Sequence, residues 1–384
     1  MIEAGAVGTV WDRPAAPTSP RLSRDLERGG RQSVRYIGSK ARVAAMIASI
    51  LGPWPGSGRF IDAFCGTGSV GRHAADLGWP IVLNDHLTSS MLTASAQVIA
   101  RADVPFRSLG GYEAALQLLN EVGGIDGFVW KEYSPASRAH GVQRQYFTEK
   151  NAARIDAVRQ TIAQWRAVRL ITELEERLLI ADLLASANRV ANIAGTYGCF
   201  LSYWSTNSAR ELLLSPRKLS PTKVHFEATC QDVFNVKAAH KDTVYLDPPY
   251  TKRQYAAYYH LLETIAEGDA PAVTGITGLR PWEHKASVFC YKARALAGLQ
   301  SLIQNLPAHR VLLSYSDDAH IPLEALRRHL ADLGNLTVHR LASIGRYRPN
   351  ERASAHRSAV SEYLLELRRP AVPLNCQPAL EPAV

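Results

Sequence analysis

The chain reads Arg59-Phe-Ile-Asp-Ala-Phe-Cys-Gly-Thr-Gly68 where an apolar stretch runs into a glycine-rich turn. Helical spacing follows from Val70 to Leu77, and Pro80-Ile-Val-Leu-Asn-Asp85 is a second apolar stretch of strand length. A strand, a turn, a helix and a second strand in this order predict a β-α-β unit, the building block of a parallel sheet. We therefore expect an α/β fold.

Strand character returns only after a long interval. Residues 87–223 carry no strand pattern, whereas 151–165 and 172–192 show helical periodicity with many charges. An interval of that length is too long for a loop, so we predict a mainly helical insertion into the α/β domain. Further strands are predicted at 224–228, 243–246, 310–315, 336–341 and 362–367.

These patterns divide the chain into five segments. A flexible N-terminal extension is predicted at 1–34 and a flexible C-terminal tail at 370–384, because both lack a hydrophobic period and are rich in turn-forming or small residues. The α/β domain comprises 35–86 and 224–369. The helical insertion comprises 87–223.

Composition narrows the class of protein without identifying it. The 44 Lys and Arg exceed the 35 Asp and Glu, which gives a formal charge of +9. This charge favours a polyanionic partner because phosphate neutralisation releases counterions, although many basic proteins bind no polyanion. The sequence lacks a membrane-spanning apolar run and a signal-peptide pattern, so we expect a cytoplasmic protein. The five cysteines have no C-x-x-C spacing, which predicts neither a metal site nor a disulfide framework.

The most specific chemical signal is Tyr245-Leu-Asp-Pro-Pro-Tyr250, which ends the strand predicted at 243–246. Two prolines cannot continue a strand ladder, so the chain must leave the sheet at its carboxyl edge, where ligands bind in open α/β sheets. Asp247 and the Pro248 carbonyl are two acceptors at this point, and Tyr250 offers a flat aromatic face. Together they suit an aromatic amine, although a purely structural Asp-Pro-Pro turn is the alternative.

A second signal is the turn Phe64-Cys-Gly-Thr-Gly68. Its glycines allow a tight turn and a close approach of the backbone to a ligand, but such a turn is often only structural, and the third glycine of the dinucleotide fingerprint is missing. Asp85 ends the next predicted strand about twenty residues on, where a carboxylate accepts hydrogen bonds from ribose hydroxyls. A cofactor containing a ribose is therefore favoured.

Two further segments are ambiguous on their own. In Arg35-Tyr-Ile-Gly-Ser-Lys40, Lys40 is a candidate to meet a carboxylate and Tyr36 to pack on a cofactor, but a solvated lysine at the start of a helix is the alternative. Asp232, in Cys230-Gln-Asp-Val-Phe234, is either a helix cap or an acceptor for an adenine amino group with Phe234 packed nearby.

Taken in order, the segments 35–40, 64–68 and 247–250 resemble the motifs of the D12-class, Dam-like adenine-N6 DNA methyltransferases, over roughly residues 35–367. The resemblance implies a Rossmann-like, S-adenosylmethionine-dependent methyltransferase sheet with a mainly helical target-recognition insertion. By that resemblance 35–86 and 224–369 form the catalytic domain, and 87–223 recognises double-stranded DNA.

The resemblance also assigns roles to residues. The cofactor pocket would contain Tyr36, Lys40, Phe64, Gly66, Gly68, Asp85, Asp232 and Asp247. The catalytic motif would consist of Asp247, Pro248, Pro249 and Tyr250, with Asp247 and Pro248 positioning the target amino group and Tyr250 stacking on the flipped adenine. The segments 253–255 and 258–260 would line the substrate side.

The function implied is site-specific transfer of a methyl group to adenine N6 in DNA, within a restriction-modification system whose cognate endonuclease is a candidate partner. Two alternatives stay open. Asp-Pro-Pro-Tyr also serves amino groups on RNA bases, which makes an RNA methyltransferase the main rival. A catalytically inactive DNA-binding relative is the other, since a fold alone does not establish function.

Overall fold

The computed structural model of this chain describes residues 40–317, 319–341 and 361–370. The predicted N-terminal extension and Tyr36 lie outside these residues. So does the predicted C-terminal tail, apart from Pro370.

The described residues contain one sheet of seven strands in the order β3-β2-β1-β4-β5-β7-β6. The strands are β1 Phe60–Asp62, β2 Ile81–Asp85, β3 Phe226–Cys230, β4 Thr243–Leu246, β5 Arg310–Ser316, β6 Asn335–Arg340 and β7 Glu362–Arg368. Strands β1 to β5 pair in parallel, whereas β7 runs antiparallel between β5 and β6. The predicted α/β, Rossmann-like fold is confirmed, and each predicted strand is found within about two residues of its expected ends.

The central strands are buried on both faces. Ile61 of β1 and Val244 of β4 belong to a core cluster on one face, while Phe60 and Tyr245 belong to a cluster on the other. Helices cover both faces, so these strands read as continuous apolar runs. In the register, Asp62 lies beside Leu83 of β2 and Tyr245 of β4. The loops after these three strands therefore leave the sheet at the same edge.

The helices outside the insertion are α1 Ala44–Leu51, α2 Ser69–Asp76, α8 Tyr255–Tyr258, α9 His260–Glu267, α10 Lys292–Asn305 and α11 Leu323–Ala331. The helices within 87–223 are α3 Thr88–Val98, α4 Tyr112–Glu121, α5 Phe128–Tyr133, α6 Glu149–Ala167 and α7 Glu173–Val190. Every residue of 87–223 is described, and strand pairing there is limited to a single bridge between Ala100 and Ser220. The prediction of a strand-free, helical interval is confirmed. Thr172 and Glu175 form a capping box that fixes the start of α7.

The helical interval shares its core with the sheet. Helix α3 packs on β2 and β3 and also on α7 and α9, and α7 itself is buried along most of its length. The predicted boundary between residues 86 and 87 thus falls just before a helix that contacts both parts, and the domain limits remain a prediction. No helix in the described part of the chain has the length and apolarity needed to cross a bilayer.

Candidate functional site

A cavity of about 320 Å³ opens at the edge of the sheet where β1, β2, β3 and β4 end. This volume lies at the lower end of the range for small-molecule sites. Most of the residues singled out in the sequence line it, namely Lys40, Phe64, Gly66, Asp85, Asp232, Asp247, Pro248, Pro249 and Tyr250. The topology thus brings together residues that lie up to about 210 positions apart in the chain, because parallel strands share one carboxyl edge.

The glycine-rich turn is tied to the next strand by a carboxylate. Gly66 has a φ of 50°, and its N–H donates to Asp85 Oδ2 at 2.9 Å. The other oxygen of Asp85 accepts from the Leu87 N–H at 2.9 Å, and burial raises the pKa of Asp85 to about 6. Asp85 therefore fixes two of the loops that frame the cavity.

Gly68 serves helix packing rather than the cavity wall. It precedes α2 with a φ of 77°, and a Cβ built on it would lie 2.6 Å from the Ala94 Cα of α3. Any side chain here would force α2 and α3 apart. A role of Gly68 in cofactor binding remains a prediction, and it rests only on the effect of Gly68 on the turn.

Asp62 is a site residue that the sequence reasoning missed. It ends β1, lines the cavity and is almost fully buried. Its Oδ2 accepts from the Gly71 N–H at 3.2 Å, while Oδ1 accepts no well-formed hydrogen bond from the described residues. Burial, followed by the negative charge of Asp247, raises the pKa of Asp62 to about 8. The signal that would have found it is its place as a polar residue at a strand end.

Lys40 lies between two carboxylates. Its buried Nζ is 3.0 Å from Glu362 Oε2 and 3.4 Å from Asp247 Oδ1, and it lies 5.1 Å from the centroid of the Tyr250 ring. Burial alone would lower the pKa of Lys40, but Asp247 and Glu362 outweigh this effect and raise it. Of the two open alternatives for Lys40, the solvated lysine is therefore wrong.

Asp247 and Tyr250 form the other half of the site. Burial raises the pKa of Asp247, and the nearby Lys40 ammonium and the Tyr250 hydroxyl oppose this rise. The Tyr250 hydroxyl lies within hydrogen-bond distance of the Asp247 carboxylate and of the Ser314 carbonyl oxygen. Its ring packs edge-on against Tyr315, with the centroids 5.1 Å apart. In this closed conformation the Tyr250 hydroxyl contacts the Asp247 carboxylate of the same motif.

Asp232 has the capping role and also lies at the cavity, while its role as an acceptor for an adenine amino group stays a prediction. Its Oδ1 accepts from the Phe234 N–H at 3.0 Å and so caps a short 3₁₀ turn, Val233–Asn235, while the residue also lines the cavity. Phe234 is 44% exposed and stacks on Phe289 with the ring centroids 6.0 Å apart. An aromatic wall thus stands beside a carboxylate at this end of the cavity.

The segment after β4 was only partly anticipated. Residues 253–255 line the cavity as expected, whereas Tyr259 and His260 are buried in the helical core instead. His260 Nε2 lies 3.0 Å from the Tyr197 carbonyl oxygen, and burial lowers its pKa to about 4, so it is a neutral packing residue. Lys285 also lines the cavity and was not anticipated.

Comparison with known proteins gives this geometry a family. A family model described as D12 class N6 adenine-specific DNA methyltransferase matches residues 36–321. The type II methyltransferase M.FokI of Planomicrobium okeanokoites is 30% identical over 344 residues, which cover 88% of this chain and 53% of that protein. The modification methylase StsI of Streptococcus sanguinis is 30% identical over 307 residues, with coverages of 78% and 46%.

The chain spans about half the length of these two relatives. It spans 86% of the type II methyltransferase M.NlaIII of Neisseria lactamica, to which it is 31% identical over 309 residues. The family model covers most of the chain and includes both halves of the cavity described above. The chain belongs to the D12 class N6 adenine-specific DNA methyltransferases.

Proposed function

We propose that this protein transfers a methyl group from S-adenosylmethionine to the N6 atom of an adenine at a specific site in double-stranded DNA. The observation that carries the proposal is the position of Asp247 and Pro248, which share one cavity with the glycine turn at Gly66 and with Asp85. Acceptors for an amine thus stand next to a turn suited to a nucleoside cofactor.

The donor set of the cavity fits the proposed cofactor. Membership of the family implies a methyl donor, and S-adenosylmethionine carries a sulfonium, an ammonium and a carboxylate. Five acidic residues line the cavity, namely Asp62, Asp85, Asp232, Asp247 and Glu362, against the three cationic residues Lys40, Arg253 and Lys285, and this excess favours a cationic ligand. Asp62 Oδ1, which accepts no well-formed hydrogen bond from the described residues, is a buried polar atom available to a donor group.

Each end of the cavity then has a role. We propose that Asp85 binds the ribose and that Asp232 and Phe234 contact the cofactor adenine. Lys40 would then lie at the boundary between the cofactor and the target base. When bound, the cofactor supplies an electrophilic methyl carbon. The protein's own contribution is to hold that carbon next to the acceptors of the catalytic motif and to exclude water.

The chemistry at the target amine needs no covalent enzyme intermediate. The N6 lone pair of adenine is delocalised into the ring, which makes the amine a weak nucleophile. Hydrogen bonds from its two hydrogens to Asp247 and the Pro248 carbonyl favour a tetrahedral nitrogen and stabilise the positive charge that develops. With the cofactor bound, the new N–C bond would form as the C–S bond breaks with its electron pair going to sulfur, and the surplus N6 proton would then leave towards Asp247 and solvent.

Tyr250 must change partners for this to happen. Its hydroxyl faces Asp247 in the present structure, and a flipped adenine would compete for the same acceptor. We propose that the ring of Tyr250 then stacks on the flipped base. We further propose that 87–223 contributes target recognition, that a restriction endonuclease of the same specificity is the partner and that the protein acts on DNA in the cytoplasm.

The test is transfer of labelled methyl from S-adenosylmethionine to unmethylated duplex DNA, followed by nucleoside analysis, with RNA as a parallel substrate. We expect N6-methyladenine in DNA only. Asp247→Ala should lower kcat by at least about 10²–10³-fold, because an acceptor for the developing charge is lost, while thermal unfolding stays close to that of the parent.

Asp76→Ala is the matched control, since Asp76 is a half-exposed residue at the end of α2 with a single surface ion pair. Its activity should equal that of the parent. Label found in RNA alone would replace DNA with RNA as the substrate, and full activity of the Asp247→Ala protein would overturn the mechanism.

A further inference from the structure

We propose that Glu362 is a positioning residue for the catalytic motif, which acts by holding the Lys40 ammonium away from Asp247. This inference rests on the proposed function. It concerns a residue on the last strand of the sheet, 115 positions beyond Asp247 in the chain.

The topology explains how Glu362 reaches the site. Strands β1 to β5 end at the cavity, but β7 runs antiparallel to β5 and therefore begins there. Glu362 is the first residue of β7, pairs with Ser316 at the end of β5, and lines the cavity with its side chain largely buried. A carboxylate at this position faces the same space as the residue that follows β4.

The distances show how the ammonium is shared. Lys40 Nζ is 3.0 Å from Glu362 and 3.4 Å from Asp247, so the shorter contact is made to the residue outside the catalytic motif. A charge-assisted N–H···O bond is normally 2.7–2.9 Å long. The contact with Asp247 is therefore a long one, so Lys40 occupies the lone pairs of that carboxylate only weakly.

This arrangement matters because Asp247 needs two properties at once. It must stay ionised although burial raises its pKa, and the nearby positive charge of Lys40 helps to keep it so. It must also keep an acceptor oxygen free for the target amine. A lysine bound tightly to Asp247 alone would meet the first need and defeat the second, whereas a lysine held by Glu362 meets both.

The charges around Asp247 can be named from each element packed against it. Lys40 and Tyr250 lower the pKa of Asp247, whereas burial and Glu362 raise it. Asp62, at the end of β1, is a further carboxylate, and the negative charge of Asp247 raises its pKa. Removal of the Glu362 charge should therefore lower the pKa of Asp247 and let Lys40 move onto it.

The experiment compares Glu362→Gln with the parent in methyl transfer to duplex DNA across a range of pH. Glutamine keeps the size and the acceptor oxygen of the side chain but not the charge. We expect kcat at neutral pH to fall roughly tenfold, within the range for coupled neighbouring charges, with little change in KM for cofactor or DNA. We also expect the acidic limb of the rate profile to move to lower pH, because the limb reports protonation of Asp247.

Two further variants separate positioning from a structural role. Glu366→Gln changes a carboxylate on the same strand that pairs with Arg310 and His339, and it should leave the acidic limb in place. In a Lys40→Met background, Glu362→Gln should lower kcat much less than in the parent, because there is no ammonium left to hold.

A readout without turnover keeps this inference distinct from the proposed function. Titration of the Asp247 carboxyl, followed by carbon NMR of labelled protein, should give a lower pKa in Glu362→Gln than in the parent. If the parent fails to methylate DNA, the proposed function is wrong. If the Asp247 titration and the acidic limb are unchanged in Glu362→Gln, or if its loss of kcat is equally large without Lys40, the role of Glu362 is overturned.

Discussion

Two regions of the molecule bury carboxylates, and they treat them differently. In the helical segment, residues 87–223, Asp182 of α7 accepts a hydrogen bond from the Tyr112 hydroxyl at 2.6 Å and pairs with Arg217 Nε at 2.6 Å. At the cavity, Asp62 is equally buried, but one of its oxygens lacks a well-formed hydrogen bond from the described residues. Both residues are polar groups in a low-dielectric interior, where an unsatisfied acceptor is costly.

The difference identifies what each region is built for. Asp182 is surrounded by donors from α4 and from the segment after α7, so its charge holds parts of the chain together. Burial raises the pKa of the Asp182, Asp62 and Asp85 carboxyls. Arg217 and Tyr112 oppose this rise at Asp182, whereas at Asp62 the negative charge of Asp247 adds to it and the pKa reaches about 8. The pKa of Asp85 is raised to about 6. Burial of carboxyl groups without a cationic partner lowers stability, and such perturbed groups are typical of functional sites.

The largest effect should come from the structural pair. Asp182→Ala leaves the Arg217 guanidinium buried without its partner, which should destabilise the fold by about 3–5 kcal/mol. Thermal unfolding should then begin at least about 6–12 °C lower than in the parent.

The exposed pair of Glu173 and Arg177 is the control. Glu173→Ala should change stability by no more than about 1 kcal/mol. Equal losses in the two variants would remove the distinction between buried structural carboxylates and surface ones in this segment.

The parts of the fold and of the site that are encoded in local sequence patterns could be predicted from the sequence. Apolar runs predict the strands, and polar residues at or directly after the strand ends, such as Asp85 and Asp247, indicate the carboxyl edge. The same rule applies to Asp62, which is the last residue of β1.

Other parts of the site depend on contacts that no local pattern contains. Lys40 and Glu362 are 322 positions apart, and neither residue type specifies the other. Glu362 reaches the cavity only because β7 is antiparallel, so that the start of the strand lies where its neighbours end. The closed position of Tyr250 depends on a contact between its hydroxyl and the carbonyl of Ser314 in β5, which is likewise a tertiary effect.

The helical segment also has an outer surface, and there the comparison can be made with function instead of stability. Asn192 is fully buried and its side chain bonds the carbonyls of Leu201 and Tyr203 and the Ser205 N–H, at 3.0–3.1 Å. The loop is thus held in one shape while Tyr203 and Trp204 stay 66% and 40% exposed. The chain from 193 to 210 contains no acidic residue, so phosphates would meet no repulsion from within it.

If the proposed function holds, these rings should contact DNA bases. Tyr203→Ala and Trp204→Ala should each weaken DNA binding by about 1–3 kcal/mol, the usual value for a lost base stack, with cofactor binding unchanged. Trp54→Ala is a matched control, because Trp54 is 41% exposed and donates to the Gly58 carbonyl at the opposite edge of the sheet. DNA affinities equal to the parent in both loop variants would exclude this contact.

The smallest effect should be a gain in stability, and it concerns Asp62 itself. Its folded pKa of about 8 lies above the ordinary value of 3.8, so the folded state binds more protons than the unfolded state between these limits. Stability should therefore fall as pH rises through this window. Asp62→Asn removes the ionisation, while the amide oxygen can still accept from the Gly71 N–H.

We expect the Asp62→Asn protein to unfold at a higher temperature than the parent at pH 8.5, by about 2 °C or roughly 1 kcal/mol, and the gain to shrink at pH 5. The same variant should bind S-adenosylmethionine more weakly, because an acceptor that the ligand would use becomes in part a donor. A variant less stable than the parent at every pH would mean that the Asp62 carboxylate supports the fold as Asp182 does. A gain in stability together with a loss of cofactor affinity would instead show that the Asp62 carboxylate destabilises the folded protein and contributes to ligand binding. In the helical segment, by contrast, the buried carboxylate of Asp182 stabilises the fold.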